Sequence, residues 1–200
     1  MENKVTIKKE EVLSDGFFTL KKVTFDLANK EGQAEEQKRE VYHTANGATV
    51  LLYNVEKETV ILTRQFRVAT MLNGNDSGMM IEACAGIIED GSADETIVRE
   101  IEEETGYKVE DVEKIFELYS SPGATTEKLH YYIARYQPGN KVSDGGGLDD
   151  EQENIEVLEM AFKDAYLMIE NGTIRDAKTV QLLQYAKLHV FTPEKVFDVL

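Results

Sequence analysis

Residues 5–53 alternate apolar and polar side chains in short runs, VLSDGFFTLKKVTFDL and then KREVYHTANGATVLLYN, broken by turn residues at Ser14-Asp15-Gly16, at 29–32 and at Asn46-Gly47. A period of two rich in β-branched and aromatic residues predicts half-buried strands. The run 48–54, the polar turn 56–58 and the run TVILTRQFRV predict a hairpin. MMIEACAGII predicts one further strand, ending near Gly86.

The period then lengthens to about 3.6 residues, the α-helical repeat. In SADETIVREIEEETG, Ile97, Val98 and Ile101 share one side of a helix while Glu100, Glu103 and Glu104 share another arc. Ser92 with Glu95 predicts a capping box, and Gly106 is placed to stop the helix in a left-handed cap. VEKIFELY and KLHYYIARYQ read as strands around the loop SSPGATTE, and KVSDGGGLDDEQEN as a loop. The strand IEVLEM leads to a helix at Phe162–Glu170, closed by Asn171-Gly172, and to another at 177–188. These elements predict a mixed sheet with few helices behind an all-β arm.

At 200 residues the chain is long enough to bury a real core, and 42% apolar with 30% charged residues describes a soluble globular protein. A net charge of −16 argues against nucleic acid or an anionic membrane as partner, because both rest on basic residues neutralising phosphates. An acidic chain that handles phosphates needs a divalent metal or a local basic pocket. Cys84 is the single cysteine, which excludes a disulfide framework, and MENKVTIKKEE lacks the apolar core of a signal peptide. Both predict a cytoplasmic protein, and no stretch is long and apolar enough to span a membrane.

Residues i, i+3 and i+4 are neighbours on a helix, so Glu100, Glu103 and Glu104 can converge while Glu102 faces elsewhere. Oxygen-only donors at that density suit Mg²⁺ or Mn²⁺. The same pattern also describes a solvated acidic face. His43, His130 and His189 show no metal-ligand spacing and read as structural, and no Ser-His-Asp or thiol nucleophile stands out.

The flanks change that balance. AGIIEDGSADETIVREIEEETGY resembles the Nudix box, whose core R-E-apolar-x-E-E-x-G-apolar is matched by Arg99, Glu100, Ile101, Glu103, Glu104, Gly106 and Tyr107. Two departures stand out: the spacing from Gly86 to Arg99 is one residue shorter than usual, and Ser92 holds the place of a family glutamate for which Glu89 is a substitute. SDGFFTL, KREVYHTANGATVLLYN, RQFRVAT, FELYSSPGATTE, the GGG loop before NIEVLEM, and GTIRDAKTV resemble the GDP-mannose pyrophosphatase branch of the Nudix hydrolases over nearly the whole chain. That branch is similar to the ADP-ribose pyrophosphatases. The resemblance implies an α/β/α sandwich around a mixed sheet (44–200, box 86–107) and an N-terminal antiparallel β-arm (1–43), exchanged between the subunits of a homodimer.

The resemblance also implies roles. Glu100, Glu104 and the backbone carbonyl of Ala85, with Glu103 alongside, would hold Mg²⁺ or Mn²⁺. Arg99 would fix the carboxylates, although an ordinary ion pair with Glu103 is its bland alternative. A further acid is expected from the glycine-rich loop: counting forward from GGG selects Glu151, counting back from IEV selects Glu153, and the register of the strand favours Glu153. The nucleotide sugar would meet Phe17, Lys38, Arg39 and Glu40 of the arm, Ala85, Gly86, Ile87 and Glu104 of the box, and Arg67, Glu127, Asp150 and Lys178. Phe17 reads equally as a core strand residue, and Arg67 reads either as a phosphate clamp or as a surface strand arginine. The activity implied is hydrolysis of a nucleoside diphosphate sugar, GDP-mannose ahead of ADP-ribose, with a nucleotide-sugar sensor that performs no turnover as the alternative from another class.

Overall fold

The computed structural model describes residues 5–89, 91–148 and 153–192. The chain forms two compact units, one of residues 1–46 with 117–129, the other of 47–116 with 130–200. Asp150 and Glu151 lie outside the described residues.

In the first unit, β1 (Val5–Asp15), β2 (Thr19–Ala28) and β3 (Ala34–His43) form an antiparallel sheet in the order β1-β2-β3. The predicted turns fall where expected, between Asp15 and Thr19 and between Ala28 and Ala34, which face each other across the strand pairs. The outer edge of β3 is also used: the Tyr42 amide donates to the Ala124 carbonyl at 2.8 Å and Thr126 donates to the Tyr42 carbonyl at 3.1 Å. β1 is almost wholly exposed, Val5, Ile7, Val12 and Leu13 included.

The larger sheet has the order β10-β5-β4-β9-β8, with β6 on β5 and β7 on β4. Its strands are β4 (Gly47–Asn54), β5 (Thr59–Phe66), β6 (Met79–Glu82), β7 (Cys84–Ile87), β8 (Glu113–Tyr119), β9 (Lys128–Arg135) and β10 (Glu156–Ala161). The helices are a short turn α1 (Val68–Met71), then α2 (Ala93–Glu100), α3 (Phe162–Glu170) and α4 (Ala177–His189). β4 is central and buried on both faces, Thr49 and Asn54 included, so its side chains do not alternate between core and solvent. Ala48, Val50 and Leu52 pack with Ile97 and Ile101 near α2, Tyr132 of β9 and Tyr136. α4 also lies against β4 and buries Leu182 and Leu183. This is the mixed-sheet α/β fold expected, with a three-stranded antiparallel sheet at the N-terminus.

Three expectations are corrected. MMIEACAGII is two strands: Met79 to Glu82 pair with β5, and Cys84 to Ile87 pair with β4. The change of partner occurs at Ala83, whose amide donates to the Thr179 hydroxyl at 2.7 Å. An alternating pattern marks which face a residue takes and is blind to which neighbour its backbone pairs with. The run TVILTRQFRV stops being a strand at Phe66, because Arg67 caps α1. The helix expected to run unbroken to Gly106 is α-helical only through Glu100, and Ile101–Thr105 is a π-turn.

Candidate active site

α2 begins as its sequence dictates. The Ser92 hydroxyl accepts the Glu95 amide at 3.2 Å, and Glu95 Oε2 accepts the Ser92 amide at 2.9 Å. Ser92 is thus the helix cap, and Glu89 is exposed. Thr96, Ile97 and Ile101 anchor the inner face, so the register of the acids that follow is set by core packing. The π-turn, a feature that recurs at functional sites, carries Glu102 to Glu104 and ends at Gly106 with φ +74°, a conformation glycine adopts at little cost.

The acids take distinct positions. Glu100 lies directly over Gly86, where any Cβ would fall inside its carboxyl group. Arg99 bridges two of them, with Nη2 2.9 Å from Glu100 Oε1 and Nη1 2.8 Å from Glu103 Oε2. Glu104 is 1% exposed, accepts the Ala85 amide at 3.3 Å and is bonded by the Cys84 thiol. Glu102 faces outward. Burial, with the charges of Glu100 and Glu153, pushes the Glu104 carboxyl up to about 8 against the opposing bonds from Cys84 and Ala85.

The glycine loop is zipped to the end of this helix through its backbone. Val142 donates to the Gly106 carbonyl at 2.8 Å, Gly146 to that of Glu104 at 2.9 Å and Gly147 to that of Glu103 at 3.1 Å. Glu153 folds back beneath Gly147 and accepts the Leu148 amide at 3.3 Å. Glu153 stands where its charge reaches Glu104, while Glu151, the other candidate loop acid, lies outside the described residues.

A second cluster adjoins the β6–β7 switch. Glu82, its side chain 4% exposed, receives Arg67 Nε at 2.9 Å, Arg67 Nη2 at 3.2 Å and the Lys178 ammonium. Lys178 also pairs with Asp176 Oδ1 at 3.1 Å. Asp176 Oδ2 caps α4 by accepting the Thr179 amide at 3.0 Å and its hydroxyl at 2.6 Å. Burial works against charge on Glu82 and on Lys178; their partners outweigh it, holding the carboxyl below and the ammonium above their ordinary ranges. Arg67 is neither a free clamp nor a plain surface arginine, since one edge of its guanidinium is committed to Glu82. Glu82 and Asp176 went unnoticed in the sequence. The signal for Glu82 was a lone acid inside the apolar run MMIEACAG.

The remaining candidates Phe17, Lys38, Arg39, Glu40 and Glu127 belong to the first unit. Phe17 is not a core residue: it lies in the β1–β2 turn, 83% exposed, edge-on to Phe18 at 4.7 Å. Lys38 pairs with Glu36 at 3.4 Å, and Glu40 faces Lys22 across the strands. Arg39 donates to the Lys38 carbonyl at 2.8 Å and to Gln37 Oε1 at 2.9 Å. It also lines a hollow of about 330 Å³ with Val5, Ile7, Phe25 and Val41. The Glu127 carbonyl accepts the Ser120 amide at 3.3 Å. Ile87 ends β7 opposite Gly47.

Among the described residues no three His, Cys, Asp or Glu side chains form a ready cation cage. The donor set nevertheless fits a divalent ion, because the charges of Glu100 and Glu153 reach the buried carboxyl of Glu104, where burial already disfavours an uncompensated negative charge. Among the described residues no helix is long and apolar enough to cross a membrane.

Residues 4–42 match the model of the GDP-mannose pyrophosphatase NudK N-terminal domain, and residues 43–183 match that of the NUDIX domain. The GDP-mannose pyrophosphatase of Escherichia coli O1:K1 / APEC is 50% identical over 188 residues, covering 94% of this chain and 97% of that protein. The GDP-mannose pyrophosphatase of Shigella dysenteriae serotype 1 (strain Sd197) is 50% identical with the same coverage. A solved structure described as an ADP compounds hydrolase superposes with a TM-score of 0.68 at 23% identity, over 90% of this chain and 91% of that one, which shows the fold. With half its residues shared along nearly its whole length, and with the box acids gathered over Gly86 and Ala85, the chain belongs to the Nudix hydrolases, in their GDP-mannose pyrophosphatase NudK family.

Proposed function

We propose that this chain hydrolyses the pyrophosphate bond of nucleoside diphosphate sugars, taking GDP-mannose to GMP and mannose 1-phosphate. The carrying observation is the 50% identity over 94% of the chain to enzymes of that activity. The local chemistry agrees with it. Water adds across the P–O–P bridge: one P–O bond forms, the bridging P–O bond breaks, and a proton must leave the attacking water. Glu153 is the acceptor for that proton, with Glu151 the alternative if the loop acid lies further back. Glu100, Glu104, the Ala85 carbonyl and the loop acid would hold Mg²⁺ or Mn²⁺, with Glu103 alongside. A bound ion of this kind acidifies water and neutralises phosphate charge. Arg99 keeps Glu100 and Glu103 apart and oriented. Arg67 and Lys178 supply positive charge for the diphosphate, and Phe17, Lys38, Arg39 and Glu40 serve the nucleotide from the arm of a second subunit in a homodimer. The lone buried Cys84 is consistent with a reducing cytoplasmic home.

A panel of nucleotide sugars with Mg²⁺ and identified products tests this. GMP and mannose 1-phosphate with the highest kcat/KM for GDP-mannose is the expected result. A clear preference for ADP-ribose would replace the substrate, and binding without release of GMP would replace the activity with sensing.

A further inference from the structure

A carboxylate kept out of water persists only when it is fully paired, and Glu82 is paired twice over. Its partners are unequal. The Lys178 side chain is 13% exposed and held between Glu82 and Asp176, whereas that of Arg67 is 43% exposed and reaches solvent. A guanidinium is a planar fork, so committing the Nε and Nη2 edge to Glu82 dictates where the other edge points. Arg67 also lies within the field of the box acid Glu104. The network continues through Asp176 and Thr179 to the amide of Ala83, two residues before Ala85. With two cations and two carboxylates it is neutral as a whole.

We propose that Glu82 is the positioning residue of the phosphate-binding cations: it touches neither substrate nor metal, and it fixes Arg67 by one edge and Lys178 by its ammonium so that a diphosphate meets a preformed pair. The proposal rests on the nucleotide-sugar reading above. A merely structural ion pair would serve stability and leave substrate affinity alone.

Glu82→Gln keeps the shape and removes the charge. KM for GDP-mannose is expected to rise about tenfold or more, since misplaced binding groups forfeit orientation. The Mg²⁺ concentration for half-maximal activity should change by less than about twofold, because Glu82 is no metal ligand. Arg67→Lys keeps a charge on a solvent-reaching side chain but loses the fork, and it serves as the test if Glu82→Gln does not fold. It should raise KM similarly, and the double variant should raise it no further than the larger single change. Unchanged KM in both variants alongside a lowered Tm, or additive effects, would overturn the proposal. One readout is independent of substrate: the Arg67 Nε–Hε NMR signal should exchange slowly in the wild type and be lost in Glu82→Gln. That result separates failure of the positioning from failure of the substrate assignment.

Discussion

Glu104 concentrates the electrostatics of the site. Its carboxyl, pushed up to about 8, keeps in the native state a proton that the unfolded chain releases near 4.5. Metal-free stability should therefore fall as pH rises through that window, by a few kcal/mol at most. A divalent ion competes with the same proton, so Mg²⁺ should raise Tm more at about pH 8 than at about pH 6. Calorimetry at the two pH values, with and without Mg²⁺, checks both signs; equal Mg²⁺ shifts would mean that Glu104 is not among the ligands. Glu104→Gln should lose kcat by orders of magnitude while melting no lower than the metal-free wild type, because it replaces a carboxyl whose ionised form burial disfavours. Much at this scale was legible in REIEEETG, where spacing alone separated Glu102 from the other acids. Glu82 was not legible, because its meaning depends on Lys178, which is 96 residues away in sequence.

Among the elements, α3, α4 and the β4–β5 hairpin were read well from period and caps, and α3 agrees at both ends. Two of the three failures share one cause. The partner switch at Ala83 and the π-turn at Ile101–Thr105 both alter which backbone groups pair while leaving the side-chain pattern nearly unchanged. The π-turn has a function in the assembly, since the carbonyls of Glu103 and Glu104 accept the glycine loop. Gly147→Ala should drive a methyl into Glu153 and lower kcat, with less effect on KM. Glu153→Gln should reproduce that loss and Glu151→Gln should not. If steady-state kinetics gave the opposite ranking, the loop acid would be Glu151.

For the molecule as a whole, a net charge of −16 leaves the binding of an anionic substrate to a few placed cations and a divalent ion. The arm exposes Val5, Ile7, Val12 and Leu13 on β1 and Phe17 at its turn, more apolar surface than an isolated sheet carries comfortably. Sedimentation should give twice the chain mass, and Phe17→Ala should raise KM for the nucleotide sugar without altering that mass. A monomer with full activity would remove the arm from the site.

The backbone clasp of the glycine loop also fixes where Glu153 stands. One end of the clasp is Gly146 and Gly147 on the helix carbonyls; the other is Glu153, whose amide donates to the Leu148 carbonyl at 3.3 Å while its carboxylate takes the Leu148 amide. A carboxylate clasped to Leu148 through both its amide and its side chain takes its place from that contact, not from a count of residues along the loop.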